Sequence, residues 1–251
     1  MATMTALYVF AVVFFAGIIQ TITGFGFALV AAPLLTFAIA PKQAVVTVLF
    51  IGILMKGFLV YKTWHEGAFS RVLFVFAASV VGALPGAYVL RAVSDSTLKT
   101  IIGLTLLAAT AAMCVSRPVT IRRHGLVKTV AGLLSGFFGA TTSLNGPPIV
   151  MYMMNEGVDK STIRADLGRY FFIGNAATLG LVAFTGSVQA DRLAVYGALA
   201  VPATLLSWWV GQRIFEKVDA VRFRHIALAV ISASGLITVG AGLWPFLVAL
   251  F

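Results

Sequence analysis

The chain has 251 residues, 60% of them hydrophobic and 10% charged, with a formal net charge of +10 and a mean hydropathy of +1.01. A soluble domain carries about 25% charged residues. This composition therefore excludes a water-soluble enzyme or nucleic-acid-binding module and makes lipid the solvent for most of the surface.

Apolar segments fall at 4–40, 43–62, 70–91, 98–116, 126–154, 166–187, 193–213 and 226–250. The first holds no charge, basic flank or cleavage site, and reads as a mature membrane segment rather than a signal peptide. As one straight helix it would run about 55 Å, against a hydrocarbon core of about 30 Å. It must tilt grossly or turn back, and Thr23-Gly24-Phe25-Gly26 marks the turning point, because two glycines relax the backbone there. Residues 126–154 have the same anatomy around "GATTSLNGPPIV", Gly139 to Val150. Asn145 is a good N-cap and proline suits a first helical turn, so a helix is expected to start near Gly146–Pro148 and run toward Asn155.

The two segments align at an offset of 115, which pairs Gly17 with Gly132, Gln20 with Ser135, Gly24 with Gly139 and Pro33 with Pro148. The sequence thus divides into a first repeat, 1–116, a basic linker, 117–125, and a second repeat, 126–251. Each repeat is a hairpin followed by three spans (43–62, 70–91 and 98–116; then 166–187, 193–213 and 226–250).

Charge sets the orientation. With both broken segments folded back as hairpins, four of the 18 Lys and Arg (Lys42, Arg91, Lys99, Arg192) lie on one side, Lys56 lies in a span, and the other thirteen share the opposite side. With single crossings the split is ten against seven, which orients nothing. Cytoplasmic loops carry the excess of Lys and Arg, so hairpins are favoured, the basic side is cytoplasmic and both termini face outward. A hairpin plus three crossings makes the second repeat inverted. Inverted repeats with interrupted helices place a substrate site near the midplane, where the breaks meet. The expected fold is an all-α polytopic membrane protein of two inverted repeats, each a broken helix plus three transmembrane helices.

A helix N-terminus carries unpaired N–H groups and about half a positive charge, which suits an anion. The candidate site residues are Gln20, Thr21, Thr23, Gly24 and Gly26 at the first tip and Thr141, Thr142, Ser143 and Asn145 at the second. The alternative is that both breaks merely bend helices, with hydroxyls bonded to their own i−4 carbonyls. Lys56 lies near the middle of a span and pairs with Asn175 at an offset of 119. The two residues either flank an anion, or Lys56 snorkels about 9 Å toward the edge marked by Lys62.

The remaining signals are plainer. All eight acids fall in loops or at helix ends, which weakens a cation-transport reading. Arg164 and Arg169 either anchor the topology or draw anions to the mouth. Gly82-x-x-x-Gly86 and Gly132-x-x-x-Gly136 are expected to be close helix contacts. Cys114, in an apolar run, is expected to pack, and one cysteine excludes an internal disulfide. An enzyme lacks its parts: His65, His124 and His225 sit in polar loops, with no HExxH motif and no thiol cluster.

The stretches "GIIQTITGFGFALVAAPLL" and "GLLSGFFGATTSLNGPPIVMYM" make the chain resemble the TauE/SafE family of sulfite and organosulfonate exporters over essentially its full length. By motif, the resemblance implicates Gln20, Thr23, Gly24, Gly26, Gly139, Thr141, Thr142, Asn145 and Pro147. The expected function is export of a small oxyanion (sulfite, organosulfonate or small carboxylate) across a bacterial inner membrane by alternating access. A passive anion channel or a non-transporting membrane subunit is the alternative. The expected partners are the small anion and the lipid bilayer, with no nucleic acid, no cofactor and no metal; a homodimer stays open.

Overall fold

Gly26 takes a left-handed backbone conformation, φ 111°, immediately before a new helix. An L side chain there would be strained, so the glycine is what lets the chain reverse. In the computed structural model, which describes residues 2–23, 26–115, 124–153, 160–215 and 220–248, the first apolar segment becomes α1 (Ala2–Thr23) and α2 (Phe27–Leu35). Then follow α3 (Pro41–Lys62), α4 (Phe69–Ala92) and α5 (Asp95–Val115). The second half has a broken pair, α6 (His124–Thr142) and α7 (Gly146–Met153), then α8 (Lys160–Phe184), α9 (Ala190–Phe215) and α10 (Ala220–Val248). Asn155, expected near the end of α7, lies outside the described residues.

The first break folds back on itself. Gln20 of α1 meets Phe27 of α2, and the Tyr8 hydroxyl donates to the Leu34 carbonyl at 3.0 Å, so α2 runs antiparallel to α1. At the second break Ser143 is the one non-glycine residue with positive φ (63°) among those described. Its N–H still closes α6 on Gly139 O at 3.0 Å.

The long arm of each hairpin packs against a helix of the other half. Gly17 abuts Ser207 and Gly211 abuts Thr21, so α1 and α9 run parallel. Gly132 abuts Val75 and Ala78, and Gly86 abuts Phe137 and Ala140, so α6 and α4 run parallel too. The α5–α10 pair is antiparallel, with Thr100 against Gly242 and Leu107 against Gly235. An all-helical, polytopic fold results, in which each broken helix pair packs against a helix of the other half. Both glycine pairs expected as helix contacts, Gly82/Gly86 and Gly132/Gly136, lie in the α4–α6 seam. Small residues allow such close approach in membranes, where apolar burial gives helices little reason to associate.

Five described helices are long and apolar enough to cross a membrane: Met4–Ile22, Pro41–Lys62, Phe69–Ala92, Ser161–Phe184 and Ala190–Arg213. Large apolar side chains such as Leu7, Tyr88, Phe184 and Leu205 stay exposed on them, as lipid contact requires. Trp64, Trp209 and Trp244 are exposed near helix ends, where interfacial tryptophans sit. Cys114 is exposed rather than packed.

Helix α8 begins six residues before its apolar stretch, and the reason corrects one expectation. Asp166 is not a solvated loop acid but 3% exposed. It accepts from the Arg71 Nε at 2.7 Å and from the Ala68 N–H at 2.8 Å, with Arg169 Nη1 at 3.5 Å. Arg169 Nη2 reaches the carbonyls of Thr63 and Trp64 at 3.2 and 2.7 Å. These polar turns are helical because one face of them closes on the α3–α4 turn.

Candidate functional site

The Gln20 side chain replaces the missing cap of α2. Gly26 has no side chain to offer, and the Phe27 N–H instead donates to Gln20 Oε1 at 3.2 Å. The matched residue of the second half, Ser135, does related work: its hydroxyl donates to the Asn145 carbonyl at 2.7 Å and accepts from the Tyr170 hydroxyl at 2.8 Å. In each half a polar side chain of the long arm thus fixes the backbone of the break.

Both breaks border one cavity of about 40 Å³. Gln20, Gly26 and Phe27 line it from the first, and Ser143, Leu144, Asn145 and Gly146 from the second. Gly52 and Lys56 close it from α3, Phe171 and Asn175 from α8. A cavity needs about 10–15 Å³ to hold one water, so this one has room for more than a single water-sized group. Lys56 supplies the positive charge of this lining, and among the described residues no carboxylate belongs to it.

Lys56 is 5% exposed, and its Nζ lies 5.1 Å from the Phe171 ring centroid. Burial at that level is incompatible with a stem stretched into the headgroups, so the snorkelling alternative does not describe this side chain. Phe171 offers its π face, which attracts a cation at this range. Asn145 Nδ2 donates to Asn175 Oδ1 at 2.8 Å. Asn175 in turn lies so close over Gly52 that a methyl there would meet its amide nitrogen.

The remaining expected residues stand elsewhere. Thr21 borders a neighbouring cavity, with its hydroxyl on Gly17 O at 2.8 Å. Thr141 is fully buried and bonds the carbonyls of Phe137 and Gly86 at 2.8 and 3.2 Å. Thr142 bonds Phe138 O at 2.8 Å. These two hydroxyls secure helix ends and the α4 seam instead of lining the cavity. Ser143 lines it, but its hydroxyl turns to the Thr142 carbonyl. The Thr23 side chain and Gly24 lie outside the described residues. Phe171, Gly52 and Gly146 line the cavity too, and the sequence marks only the first, since Phe171 precedes Asn175 by four residues and shares its helix face.

The tips are chemically unlike. Of the first four residues of α7, Pro147 and Pro148 have no N–H, which leaves Gly146 and Ile149 as backbone donors. The second tip therefore presents the Asn145 amide and the helix dipole rather than a row of N–H groups. The first tip keeps its row: Phe27, Ala28 and Leu29, none of them proline, all border the cavity.

A family model for the sulfite exporter TauE/SafE matches residues 9–238. The chain belongs to this family. No curated protein and no solved structure matches it. TauE/SafE proteins are membrane transporters of the anion-exporting kind, not enzymes, and the match spans both breaks and every residue of the cavity lining. In this TauE/SafE protein the Arg169 guanidinium is engaged with Asp166 and the α3–α4 turn.

Proposed function

We propose that the chain exports a small oxyanion, sulfite or an organosulfonate ahead of a small carboxylate, by alternating access, holding it in the cavity between the two breaks. The observation that carries this reading is the convergence of Gln20, Lys56, Asn145 and Asn175, each less than a tenth exposed, on one small cavity that has no carboxylate among its described residues. The lysine supplies charge, the amides supply oriented donors, and the α2 N-terminus adds its dipole. Export needs no further coupling group: with an inside-negative potential a departing monovalent anion gains about 2.3 kcal/mol per 100 mV. The protein would sit in a bacterial inner membrane, its thirteen-cation side cytoplasmic and both termini outside.

The test is flux of radiolabelled sulfite and methanesulfonate from proteoliposomes under an imposed potential. Saturable, voltage-dependent efflux with trans-stimulation is expected. Efflux indistinguishable from empty liposomes for every small anion would overturn the reading, and unitary currents without trans-stimulation would make the protein a channel.

A further inference from the structure

A second cavity, also about 40 Å³, adjoins the first and shares Gln20 with it. Its other walls include Phe58 and Lys62 of α3, Arg164 of α8, and Thr204, Trp208 and Gln212 of α9. Phe58 and Trp208 stack there, ring centroids 6.2 Å apart, and both are partly exposed. Lys62 and Arg164 are exposed, at the same side of the fold. Among the described residues no carboxylate lines this space.

Thr204 differs from most hydroxyl residues of the described helices. Serine and threonine hydroxyls in helices ordinarily return to a carbonyl three or four residues back. Here Thr21, Thr63, Thr110, Thr142, Ser207 and Thr238 all do so. Thr204 is 2% exposed, lines the cavity, and its hydroxyl has no hydrogen-bond partner. A buried hydroxyl left unpaired costs about 1–3 kcal/mol, which an occupant of the cavity would relieve.

We propose that this second cavity is a loading site, in which a small oxyanion from the basic-loop face binds Arg164, Lys62, Gln212 and the Thr204 hydroxyl before passing Gln20 into the central cavity. The inference rests on the central-cavity reading and adds a second anion position to it. Gln20 is the wall between the two. Because its Oε1 holds the Phe27 N–H, the movement that opens the wall also releases that N–H to the arriving anion. Passage and capture are thereby one event.

The experiment is equilibrium binding of radiolabelled sulfite to the purified full chain, alongside flux in proteoliposomes. Wild type should bind two sulfites per chain, and the R164Q/T204V double variant one. Loss of a charge-assisted donor should also raise the half-saturating sulfite for flux about tenfold. T204V removes a hydroxyl that makes no bond, so folding is expected to survive it. Equal stoichiometry and affinity in wild type and the double variant overturn the loading site. A K56M chain that still binds two sulfites and moves them at the wild-type rate overturns the central site instead, so the two failures are distinguishable.

Discussion

The Asn145 amide donates to the Asn175 side-chain oxygen at 2.8 Å, which ties the second break to the middle of α8. The two residues are 30 positions apart, and both also border the central cavity. Hydrogen bonds between side chains of membrane helices are worth about 0.6 kcal/mol on average. A structural role alone would therefore predict mild effects. N145A and N175A are expected to lower stability by about 1 kcal/mol or less each, while sulfite flux falls at least about tenfold because oriented donors are lost. Thermal unfolding in detergent and proteoliposome flux measure the two quantities. Parallel losses in both would make the pair merely structural.

Lys56 separates charge from packing. K56M keeps an unbranched chain against Phe171 and removes a cation from apolar surroundings. Replacing a buried charge by an apolar side chain of similar volume is often neutral or stabilising. Unfolding should thus occur at the same or a higher temperature, with flux lost. A melting point several degrees lower would mean that Lys56 holds the fold together.

Gln20 can be divided into its two roles by Q20E. A carboxylate can still accept from the Phe27 N–H, and a negative charge at a helix N-terminus is worth about 0.3–1 kcal/mol in its favour. The same charge repels an anion in the cavity. Retained or raised stability with abolished flux is expected. Q20L, by contrast, leaves the Phe27 N–H buried and unpaired, at a cost of about 1–3 kcal/mol. Full activity in Q20E, read in the same flux assay, would remove Gln20 from the anion's path.

The α4–α6 seam predicts a contrast among glycines. At Gly136 an added methyl would run into the Ser79 carbonyl, and at Gly82 into that of Leu133. Neither obstacle is a flexible side-chain end. G136A and G82A should each cost about 1–3 kcal/mol, the usual range for overpacking. Gly174 and Gly180, both in α8, have open space where a methyl would go. G174A and G180A are therefore expected to be neutral or stabilising by up to about 1 kcal/mol. Chemical or thermal unfolding of the four variants decides it, and equal destabilisation of all four would contradict the seam.

D166N tests the clamp at the α3–α4 turn. The carboxylate faces Arg71 and Arg169, and Arg169 is itself 5% exposed. Removing one partner of a buried pair typically costs about 3–5 kcal/mol, because the other charge is left unmatched. Arg71 is partly exposed, so the loss should sit toward the lower end of that range. The yield of folded protein and the unfolding midpoint should both drop, and wild-type values would show that the acid is dispensable.

Composition and chain order were enough to establish the solvent, the helical fold, the two breaks and the family motifs. Charge scarcity demands lipid, and a 37-residue apolar run from Met4 to Ala40 interrupted by glycines cannot be one span. Which way each side chain points was decided by the tertiary structure. In a soluble helix, polar residues mark the outside; here lipid and protein interior are both apolar, so α3 or α8 carries no stripe to distinguish them. That is why the sequence groups Thr141 and Thr142 with Asn145, yet both turn their hydroxyls to carbonyls outside the cavity. It is also why the sequence leaves Lys56 free to snorkel, whereas the structure buries it against Phe171. Asp166 followed the same logic: a carboxylate near a helix start looks solvated until the chain brings Arg71, 95 residues away, to within 2.7 Å of it.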